Sequence, residues 1–433
     1  MADSESFRVI IAGGGITGLT LANALEKAGI DFIVLERQEV APQIGASISI
    51  HCNTVKIFEQ LGVWQRMCEA TLPLTDRRHF DEHGNLFEAS PIFKQVTEKT
   101  RRPIVALERR FCLATLYDNL LDKSRIRTNT GVVSFTEDES GITVLTHCGE
   151  SIRGSILVAA DGVHSTIRNL LADSISKYDT ERYNNLVQGF TSNYKTVFGT
   201  STNYLDNDTT NPVLPYGVVH LVYYKGVSGI TAAGAKGLIF WFLFVKEEIA
   251  SRMPNCPRYT DLDAVATIEK YGDLAASPSV TFRKLWETKI KAGIVPMEDG
   301  VIQGPWNNGG RVVLVGDAIH KTTVNTGFGG NLAVEGVTNF VNELVPLLRR
   351  TKMPTTQDIA TVFGQYERRQ RPRADTTVQL SNHTTRYESM DSLWLRILRW
   401  VSPWVPQWYK VRGFLGYMEQ ARILNFLPDP DTH

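Results

Sequence analysis

Apolar residues in the first part of the chain change from a continuous run to a helical spacing and then back to a run. Residues 7–12 are a short, β-branched apolar stretch, which predicts a buried parallel strand. Apolar residues recur at i, i+3, i+4 and i+7 between Leu21 and Ala28, the spacing of one helix face, and Gly29 ends this pattern. Residues 31–36 form a second run that finishes on a carboxylate. The pattern predicts a strand, a helix and a second strand of one parallel sheet.

The turn that joins the first strand to the helix has the glycine pattern Gly13-x-Gly15-x-x-Gly18. Gly13 permits a tight turn, Gly15 lets the backbone approach a pyrophosphate, and Gly18 lets the helix and the strand pack closely. The helix N-terminus adds N–H groups and partial positive charge. Glu36 follows about 20 residues later, where a carboxylate can accept hydrogen bonds from a ribose. The combination predicts a dinucleotide site, and a glycine-rich turn that binds nothing is the alternative.

The hydrophobic pattern changes near residue 177, after which strand-like segments dominate. Residues 237–245 are the most apolar of these segments and are too short to cross a bilayer. They predict a central strand whose side chains either fill a core or line an apolar pocket. Residues 311–316 return to a parallel type of strand, and a glycine-rich loop and a long amphipathic helix follow them. A second strand–loop–helix unit is therefore predicted close to the first.

These elements predict an α/β fold, in which a Rossmann-like domain with a parallel sheet carries an inserted, mostly antiparallel sheet domain. A helical region ends the chain. The predicted division is 1–175 for the first part of the nucleotide-binding domain with a hairpin excursion near 76–103, 176–285 for the substrate domain, 286–372 for the second part of the nucleotide-binding domain, and 373–433 for the C-terminal helical region.

The C-terminal region is rich in tryptophan, at positions Trp394, Trp400, Trp404 and Trp408. Either a helical hairpin packs these rings against the body of the protein, or the rings rest on a membrane surface. The segment before them, residues 366–373, is rich in arginine and predicts the end of a helix near Pro372. We interpret its charges as a solvated helix face.

Charge and cysteine content narrow the class of protein. Lysine plus arginine and aspartate plus glutamate both number 46, so the formal net charge is zero. Nucleic acids and anionic membranes select for basic excess, and neither is predicted as the main partner. Five scattered cysteines without a C-x-x-C pattern argue against a disulfide framework or a metal site.

The first strand begins close to the N-terminus and no apolar run reaches about 18 residues, so we expect no signal peptide and no membrane span. The expected location is the cytoplasm, either free or in contact with a membrane surface.

Three motifs follow one another along the chain. They are the first glycine turn with Glu36, then Asp161-Gly162-Val-His-Ser165-Thr-Ile-Arg168, and then Gly316-Asp317-Ala-Ile-His320 with its Gly-Gly-Asn loop. In this order they resemble the single-component FAD-dependent aromatic hydroxylases, the para-hydroxybenzoate hydroxylase-like monooxygenases. The resemblance covers nearly the whole chain. Within that superfamily the chain looks like fungal epoxidases of indole diterpenes, prenylated indole alkaloids and meroterpenoids, through residues 41–46, 107–110, 194–199 and 425–428.

The resemblance implies a set of contacts with FAD. The implied cofactor-binding residues are Gly13, Gly15, Gly18, Glu36, Ser49, Arg110, Asp161, Asp317, Gly330 and Asn331. In the family, the first glycine turn binds the ADP half of FAD, and Asp161 belongs to a motif that is also associated with NAD(P)H. Asp317 matches the position that holds the ribityl and pyrophosphate part, unless it only caps a turn. Gly330 and Asn331 match a helix N-terminus beneath the flavin pyrimidine, where negative charge is stabilised. Arg110 matches an R-x-x-L arginine that contacts the cofactor, with a surface helix residue as the alternative.

Two residues on the substrate side of the flavin are the predicted catalytic groups, Lys195 and Tyr224. The resemblance implies that the strand at 194–199 brings a cationic residue to the substrate side, and Lys195 would protonate a departing oxygen there. An exposed strand lysine is the alternative, as is packing for Tyr224. Val324 stands where the family usually has proline, so we expect the loop beside the flavin to have a different shape.

The implied activity is an NAD(P)H- and O₂-dependent flavin monooxygenase that inserts one oxygen atom, by epoxidation, into an alkene or indole of a fungal-type secondary metabolite. NADPH or NADH would be the co-substrate and a small apolar molecule the substrate, with no nucleic acid and no metal. One alternative is a phenol hydroxylase. Because of Val324, the other is an enzyme of flavoprotein fold that binds or cyclises its substrate without net redox chemistry.

Overall fold

The computed structural model describes residues 7–43, 45, 47–204 and 210–432, so Ile44 and Ala46 of the 41–46 stretch lie outside the described residues. The described residues form strands β1 Arg8–Ala12, β2 Asp31–Leu35, β3 Ser47–Ile50, β4 Asp76–Phe80, β5 Leu86–Ser90, β6 Val105–Glu108, β7 Ile126–Arg127, β8 Val132–Glu137, β9 Ile142–Thr146, β10 Ser151–Gly154, β11 Ile156–Ala159, β12 Thr191–Thr202, β13 Val218–Tyr224, β14 Val227–Ala235, β15 Leu238–Arg252, β16 Ala275–Ser277, β17 Val280–Thr281, β18 Lys289–Val301, β19 Val312–Leu314 and β20 His320–Lys321.

The helices are α1 Ile16–Ala28, α2 Cys52–Leu61, α3 Trp64–Glu69, α4 Ile92–Thr100, α5 Arg109–Asp118, α6 Thr166–Ile175, α7 Thr180–Val187, α8 Asp261–Tyr271, α9 Phe282–Glu287, α10 Phe328–Arg350, α11 Thr356–Glu388, α12 Leu393–Val401 and α13 Gln407–Met418. Short 3₁₀ turns occupy Lys123–Arg125, Gly316–Ala318, Val324–Thr326, Ser402–Trp404 and Pro430–Thr432.

The nucleotide-binding part is built on a parallel sheet with the strand order β19-β11-β1-β2-β7. Its central strand β1 has Val9, Ile10 and Ile11 fully buried, as expected for a strand covered on both faces. In a parallel sheet the carboxyl ends of all strands meet at one edge. The turns after β1, β2, β11 and β19, which carry the three sequence motifs, therefore lie at the same edge of the sheet. The predicted strand–helix–strand unit and parallel sheet are confirmed.

The second large sheet has eight strands in the order β20-β18-β12-β15-β14-β13-β4-β5. Its pairings are antiparallel apart from that of β13 with β4. The hairpin excursion predicted near 76–103 supplies the edge strands β4 and β5. The mostly antiparallel sheet is confirmed, and its strand β12 begins at Thr191. Helix α7 ends shortly before this strand, at Val187. Asp179 caps the N-terminus of α7 by accepting the Arg182 N–H. The proposed limits of the domains remain a prediction.

Strand β15 separates two environments. Its odd-numbered residues Ile239, Trp241, Leu243 and Val245 are buried in one core with α8 and α9. On the opposite face, Phe240, Phe242 and Phe244 point toward the nucleotide-binding part, where they pack near Phe328 and Val324. This division follows from the alternation of side chains along a strand. Residues 237–245 are thus both a core wall and one side of the interface between the two sheets.

Helix α11 is longer than predicted, because it continues through Pro372 to Glu388. The expectation that the helix ends at this proline is wrong. A proline inside a helix removes a backbone hydrogen bond, so contacts on both sides must hold the helix. Arg371 donates to the Ile302 carbonyl oxygen at 2.8 Å, and Arg373 forms a paired contact with the buried Glu335 at 2.8 and 3.0 Å. Arg371 and Arg373 therefore anchor α11 and do not belong to a solvated face, whereas Arg368 and Arg369 are exposed.

The C-terminal region has one packed helix and one exposed helix. On α13, Val411, Leu415 and Met418 are buried in the same cluster as residues of α4. By contrast, α12 has no buried residue. The side chains of Trp394, Trp400, Trp404 and Trp408 are 69%, 72%, 77% and 64% exposed. Within the described ranges, no helix has the length and apolar character that crossing a membrane requires.

Candidate functional site

A cavity of about 370 Å³ opens at the carboxyl ends of β1, β2 and β11, and we call it the nucleotide cavity. Its wall includes the first glycine turn and the segment that follows β2. The residues that matter for its chemistry are Gly13, Gly15, Glu36, Arg109, Asp161 and Gly162. The sequence predicted four of these six as cofactor-binding residues. The edge of the parallel sheet therefore brings together side chains that are far apart in the chain.

The glycine turn is shaped as its sequence predicts. Gly13 has φ = 103°, and a Cβ atom there would lie 2.5 Å from the Ala160 carbonyl oxygen. A Cβ atom on Gly18 would lie 1.9 Å from the Gly13 carbonyl oxygen, which is why helix α1 can pack so closely on β1. At Gly15 a Cβ atom would meet no described atom within 4 Å, since this residue faces the open cavity. The turn leaves room for a pyrophosphate beside the N-terminus of α1.

Glu36 lines the nucleotide cavity directly after β2. One carboxylate oxygen accepts the Gly14 N–H at 2.6 Å and the other accepts the Gln38 N–H at 2.8 Å. These two bonds fix the carboxylate against the glycine turn. Each oxygen retains a lone pair for a ribose hydroxyl.

Asp161 supplies a buried carboxyl group to the wall of the nucleotide cavity. Its Oδ2 accepts the Ile167 N–H at 3.1 Å, whereas Oδ1 is buried and has no hydrogen-bond partner among the described residues. Burial raises the pKa of Asp161, against the hydrogen bond from the Ile167 N–H. A polar group of a bound cofactor would satisfy the free oxygen.

The buried Arg168 links the second and third motifs. Its guanidinium donates to the Val163 carbonyl oxygen at 2.6 Å and to the Ala318 carbonyl oxygen at 2.7 Å. Ser165 caps α6 by accepting the Arg168 N–H at 3.0 Å. The sequence left open whether these two residues only cap and decorate the helix. In the structure, Arg168 holds the turns after β11 and β19 at a fixed separation.

Asp317 lies in the turn after β19, beside the first turn of α1. A Cβ atom on its neighbour Gly316 would lie 2.4 Å from the Thr17 hydroxyl oxygen, so this turn and the glycine turn are in contact. Lys321 is 2.7 Å from the Asp317 carboxylate. Burial opposes the ionisation of Asp317, but Lys321 and Arg109 outweigh it and the pKa is lowered. Asp317 is therefore a held carboxylate close to the nucleotide cavity.

The N-terminus of α10 is tied to strand β3. Asn331 donates to the carbonyl oxygens of Ser49 and Gly327 at 2.9 and 2.7 Å, and accepts the His51 N–H at 2.9 Å. Gly330 is adjacent to β3, where its missing Cβ would be 2.5 Å from the Ile48 side chain. The Asn331 side chain thus positions β3 beside the helix N-terminus. The first backbone N–H groups of a helix have no partner within the helix, so those of α10 are available as donors.

The arginine at the nucleotide cavity is Arg109, one position before the predicted Arg110. Arg109 and Leu113 are four residues apart on α5, and both line the cavity. Arg110 is exposed and donates to the Ala41 carbonyl oxygen at 3.2 Å. Successive side chains of a helix are rotated by about 100°, so Arg110 points away from the cavity that Arg109 lines. The prediction of Arg110 is therefore corrected. The i, i+4 spacing from Arg109 to Leu113 is the signal that could have identified it.

Lys195 and Tyr224 do not face the nucleotide-binding part. Lys195 pairs directly with Val245, which is buried under α8, and its amino group lies 3.3 Å from Glu247. Residues directly opposite in an antiparallel pair point to the same face of the sheet. Tyr224 packs against the same core and donates its hydroxyl to the Ala275 carbonyl oxygen at 3.0 Å. Both catalytic predictions are corrected: these side chains lie on the face that α8 and α9 cover.

The opposite face presents Tyr194, which the sequence analysis missed. Tyr194 is in one buried cluster with Phe244 and Met297, and Val324 packs against it from the turn before α10. Its hydroxyl is 2.9 Å from the Ser389 hydroxyl at the end of α11. A β-bulge between Ser192 and Tyr194 sets this alternation, and no sequence pattern marks it.

A second cavity of about 220 Å³ lies where the end of α11 meets β4, β5 and β13, and we call it the hairpin cavity. Its wall includes Arg77, His79, Glu88, Tyr223, Glu388 and Lys410. The sequence suggested only Tyr223 among them, together with Tyr224, as a candidate substrate-side hydroxyl with packing as the alternative; the other five were not predicted. Glu388 escaped notice because α11 was expected to end sixteen residues earlier, at Pro372.

Comparison with known proteins decides the family. Residues 6–196 and 290–381 match the FAD binding domain family. The FAD-dependent monooxygenase dpasE of Apiospora sacchari is 34% identical over 437 residues, which cover 98% of this chain and 88% of that protein. This chain belongs to the FAD-dependent monooxygenases. A second relative in that family, the FAD-dependent monooxygenase cdmI of Talaromyces verruculosus, is 32% identical over 442 residues, covering 100% of this chain and 89% of that protein.

The fold of this FAD-dependent monooxygenase is similar to that of Klebsiella pneumoniae HpxO in its complex with FAD and uric acid. The TM-score is 0.75 at 21% identity, and the match covers 96% of this chain and 97% of that chain. The family match includes the glycine turn, the Asp161 motif and the Gly316–Ala318 turn. The cofactor of this monooxygenase is FAD, as predicted. The open face of Gly15 and the unpartnered oxygen of Asp161 fit such a group.

Proposed function

We propose that this FAD-dependent monooxygenase inserts one oxygen atom from O₂, by epoxidation, into an alkene or indole of a fungal-type secondary metabolite, with NAD(P)H as the reductant. The observation that carries the proposal is the apolar face formed by Tyr194, Phe242, Phe244, Met297 and Val324 beside the N-terminus of α10. Fungal relatives named FAD-dependent monooxygenases support the reaction class. Their names do not specify a substrate.

The proposed contacts with FAD follow the two turns of the parallel sheet. The glycine turn and Glu36 would hold the pyrophosphate and ribose of the ADP half, and Arg109 would bind the pyrophosphate from α5. Asp317 would bind the ribityl part, and the N-terminus of α10 would face the pyrimidine edge of the flavin. Bound FAD supplies electron transfer from the nicotinamide and the activation of O₂.

The chain itself must keep the reaction site dry. The rings of Phe242 and Phe244 are stacked with their centroids 6.0 Å apart, and Met297 and Val324 pack beside them. Water at this site would waste reducing equivalents as peroxide. An apolar, aromatic wall also suits an alkene or an indole ring as substrate. These two properties together favour epoxidation of an apolar substrate.

Phenol hydroxylation is the second candidate, because the structure contains a carboxyl group that could accept a phenol proton. Glu388 is buried beside Ser389, and Ser389 contacts Tyr194 of the apolar face. The third candidate, a flavoprotein fold without redox turnover, rested on Val324 in place of the family's proline, and the backbone at this position does not support it. Val324 begins a 3₁₀ turn, and Thr323 before it is extended at φ = −63° and ψ = 156°, the conformation that a proline at position 324 would require of the preceding residue.

Oxygen-18 incorporation tests the proposed function. Purified enzyme loaded with FAD is supplied with NADPH or NADH, ¹⁸O₂ and a panel of prenylated indoles, prenylated phenols and meroterpenoid alkenes. We expect NAD(P)H consumption that depends on substrate and a product that gains one labelled atom. NMR of the product separates an epoxide-derived skeleton from a phenol. Substrate conversion without label or NAD(P)H consumption would instead support the reading without redox chemistry.

We also propose that α12 and the turn after it rest on an anionic lipid surface. The three tryptophans of this segment, Trp394, Trp400 and Trp404, are exposed, and so is Arg396 on the same helix. Trp408 and Arg412 at the following helix α13 are exposed as well. Residues 392–418 contain no acidic residue. Tryptophan and arginine on one exposed, amphipathic helix are the combination that binds the interface of a bilayer.

Vesicle flotation tests this contact. The probe is phosphatidylcholine vesicles containing about one-third phosphatidylserine, compared with phosphatidylcholine alone. We expect the FAD-loaded enzyme to float with the anionic vesicles and to lose this binding when Trp394, Trp400 and Trp404 are replaced by serine. Tyr178→Ser is the matched control, because Tyr178 is 87% exposed elsewhere on the protein. Absence of flotation, or a dimer in light scattering that the tryptophan replacements dissociate, would contradict the lipid contact.

A further inference from the structure

The hairpin cavity brings a buried carboxyl group, that of Glu388, close to the guanidinium of Arg77 at the end of α11. Glu388 is 1% exposed, and its Oε2 accepts the Asn325 side-chain N–H at 2.5 Å. Its Oε1 is 3.8 Å from the Arg77 guanidinium and has no hydrogen-bond partner among the residues that the structure describes. A buried carboxyl oxygen without a partner is an unfilled hydrogen-bonding position.

Arg77 enters the hairpin cavity from strand β4. Its side chain is 27% exposed, and its guanidinium lies 6.0 Å from the centre of the Phe93 ring. Within the described part of the chain, the Arg77 side chain donates no hydrogen bond. Its neighbour Arg78 is exposed, as the alternation of a strand requires. The donors of Arg77 are therefore available to a ligand in the cavity.

The remaining charged groups of the hairpin cavity are already neutralised. Lys410 and Ser402 hold the Glu88 carboxylate from α13 and the turn before it. His79 is 2.8 Å from the Tyr223 hydroxyl, and burial keeps the pKa of His79 well below its usual value.

Among the described residues, the cavity is therefore left with one guanidinium that donates no hydrogen bond, that of Arg77, and one buried carboxyl group, that of Glu388. Burial raises the pKa of Glu388 to about 7, against Arg77 and Asn325. Burial also raises the pKa of Tyr387, the remaining titratable neighbour, which lies next to Glu388 on α11. Both Glu388 and Tyr387 can thus hold a proton to donate.

The hairpin cavity adjoins the apolar face of the proposed reaction site. Asn325, the partner of Glu388, follows Val324 in the turn before α10. On the other side of Glu388, the Ser389 hydroxyl meets Tyr194 at 2.9 Å. A ligand that fills the hairpin cavity can extend an apolar part along this face toward the flavin.

We propose that the hairpin cavity binds the oxygen-bearing end of the substrate, with Arg77 and the protonated carboxyl of Glu388 donating hydrogen bonds to a carboxylate, enolate or carbonyl oxygen. This inference rests on the proposed monooxygenase function and narrows its substrate class. The substrate is then a molecule with one oxygenated, acidic end and an apolar, unsaturated part. A purely apolar alkene would leave the Arg77 guanidinium and the Glu388 Oε1 without a hydrogen-bond partner.

A binding titration tests the proposal without turnover. FAD-loaded enzyme is titrated, in the absence of NAD(P)H, with 3-farnesyl-4-hydroxybenzoate or with farnesylbenzene, and the flavin absorption spectrum reports binding. We expect the acidic probe to bind at least about tenfold more tightly than the oxygen-free probe. Arg77→Gln and Glu388→Gln should remove most of this preference. The matched controls, Arg78→Gln and Glu248→Gln, change exposed residues and should leave it intact.

The pH dependence separates hydrogen-bond donation from a merely structural role. Glu388 loses its proton as the pH rises through about 7, so the wild-type affinity for the acidic probe should fall over that range. The Glu388→Gln variant should show a weaker but flat profile. Equal affinity for both probes, absence of binding by either, or variants that bind like the wild type would overturn the proposal. Oxygen-18 incorporation by the same preparation would show that such a failure concerns the cavity and not the monooxygenase reaction.

Discussion

The side-chain amide of Asn325 donates a hydrogen bond of 2.5 Å to Glu388, which lies 63 residues further along the chain. This bond joins the turn before α10 to the last residue of α11. Thr385 reinforces the contact, since its hydroxyl donates to the Asn325 side-chain oxygen at 2.8 Å. The loop beside the proposed flavin position and the hairpin cavity are therefore parts of one hydrogen-bonded unit.

Replacing Glu388 by glutamine should change how stability depends on pH. The folded protein holds a proton on Glu388 up to about pH 7, whereas an unfolded chain releases it near 4.5. A raised pKa gives stability that is present at low pH and is lost as the pH rises, here by at most roughly 3 kcal/mol. We expect the melting temperature of the wild type, relative to that of Glu388→Gln, to fall from about pH 5 to pH 8. The buried His51, His220 and His320, whose pKa values burial lowers, stabilise both proteins equally as the pH rises. Asp299, whose pKa burial raises to about 6, has the opposite effect, again in both proteins. Glu248→Gln should behave like the wild type.

Replacing Arg109 by alanine should weaken FAD binding, whereas replacing Arg110 should not. Arg109 lines the nucleotide cavity and lowers the pKa of Asp317, so its charge is directed at the cofactor site. Loss of one charged contact of this kind costs about 1.5–3 kcal/mol, or roughly 10- to 100-fold in the dissociation constant. Quenching of flavin fluorescence on titration with apoprotein measures both variants. Equal losses in the two variants would show that the assignment to Arg109 is wrong.

Asn331→Ala should impair both stability and FAD binding. Its side chain makes three hydrogen bonds that hold β3 at the N-terminus of α10. Asn342→Ala is the matched control, because Asn342 bonds Ile423 and Asn425 at another part of the same helix. Each change should lower stability by about 1–3 kcal/mol. Only Asn331→Ala should reduce the FAD affinity, measured beside the melting temperature; a similar reduction in Asn342→Ala would point to general loosening of α10.

Val324→Pro should be tolerated. Val324 occupies the first position of a 3₁₀ turn, and Thr323 before it is already extended. We expect FAD to remain bound and the free energy of unfolding to change by less than about 1 kcal/mol, with a gain if the unfolded chain loses freedom. Calorimetry of the FAD-loaded variant measures this. A large loss of stability would mean that the valine side chain, which packs on the Tyr194 cluster, is itself required.

Phe242→Ser should uncouple the reaction. The change opens the apolar face to water, so a larger share of the NAD(P)H consumed should appear as hydrogen peroxide. Ile249→Ser is the control, because Ile249 lies on the same strand but is 84% exposed. Peroxide assays at equal NAD(P)H consumption compare the two variants. An unchanged peroxide yield in Phe242→Ser would indicate that the reaction site is elsewhere.

The local parts of the fold and site could be predicted from the sequence. The strand, glycine turn and helix around Gly13 are encoded by neighbours in the chain, as is the carboxylate of Glu36 at the end of the next strand. Family resemblance supplied Asp161 and Asp317, and the structure brings both to the same edge of the sheet. These features depend on short spacings that a single sequence displays.

The side chains that depend on register could not be predicted in the same way. A shift of one residue along β12 exchanges the two faces of the sheet, so the choice between Tyr194 and Lys195 rests on a bulge with no sequence signature. The choice between Arg109 and Arg110 depends on where α5 begins. Glu388 depends on tertiary contacts that carry a helix through Pro372, against the local preference of proline.

The uninterrupted length of α11 has a consequence for how the protein can vary. A helix of 33 residues spans about 50 Å, and it keeps Arg373 on Glu335 and Glu388 on Asn325 at a fixed angular phase. Insertion or deletion of a single residue between them would turn Glu388 by about 100° and shift it by about 1.5 Å. The segment 374–387 thus fixes the distance and the rotation between these two contacts. Insertions or deletions that preserve the enzyme should be confined to the loops before and after α11.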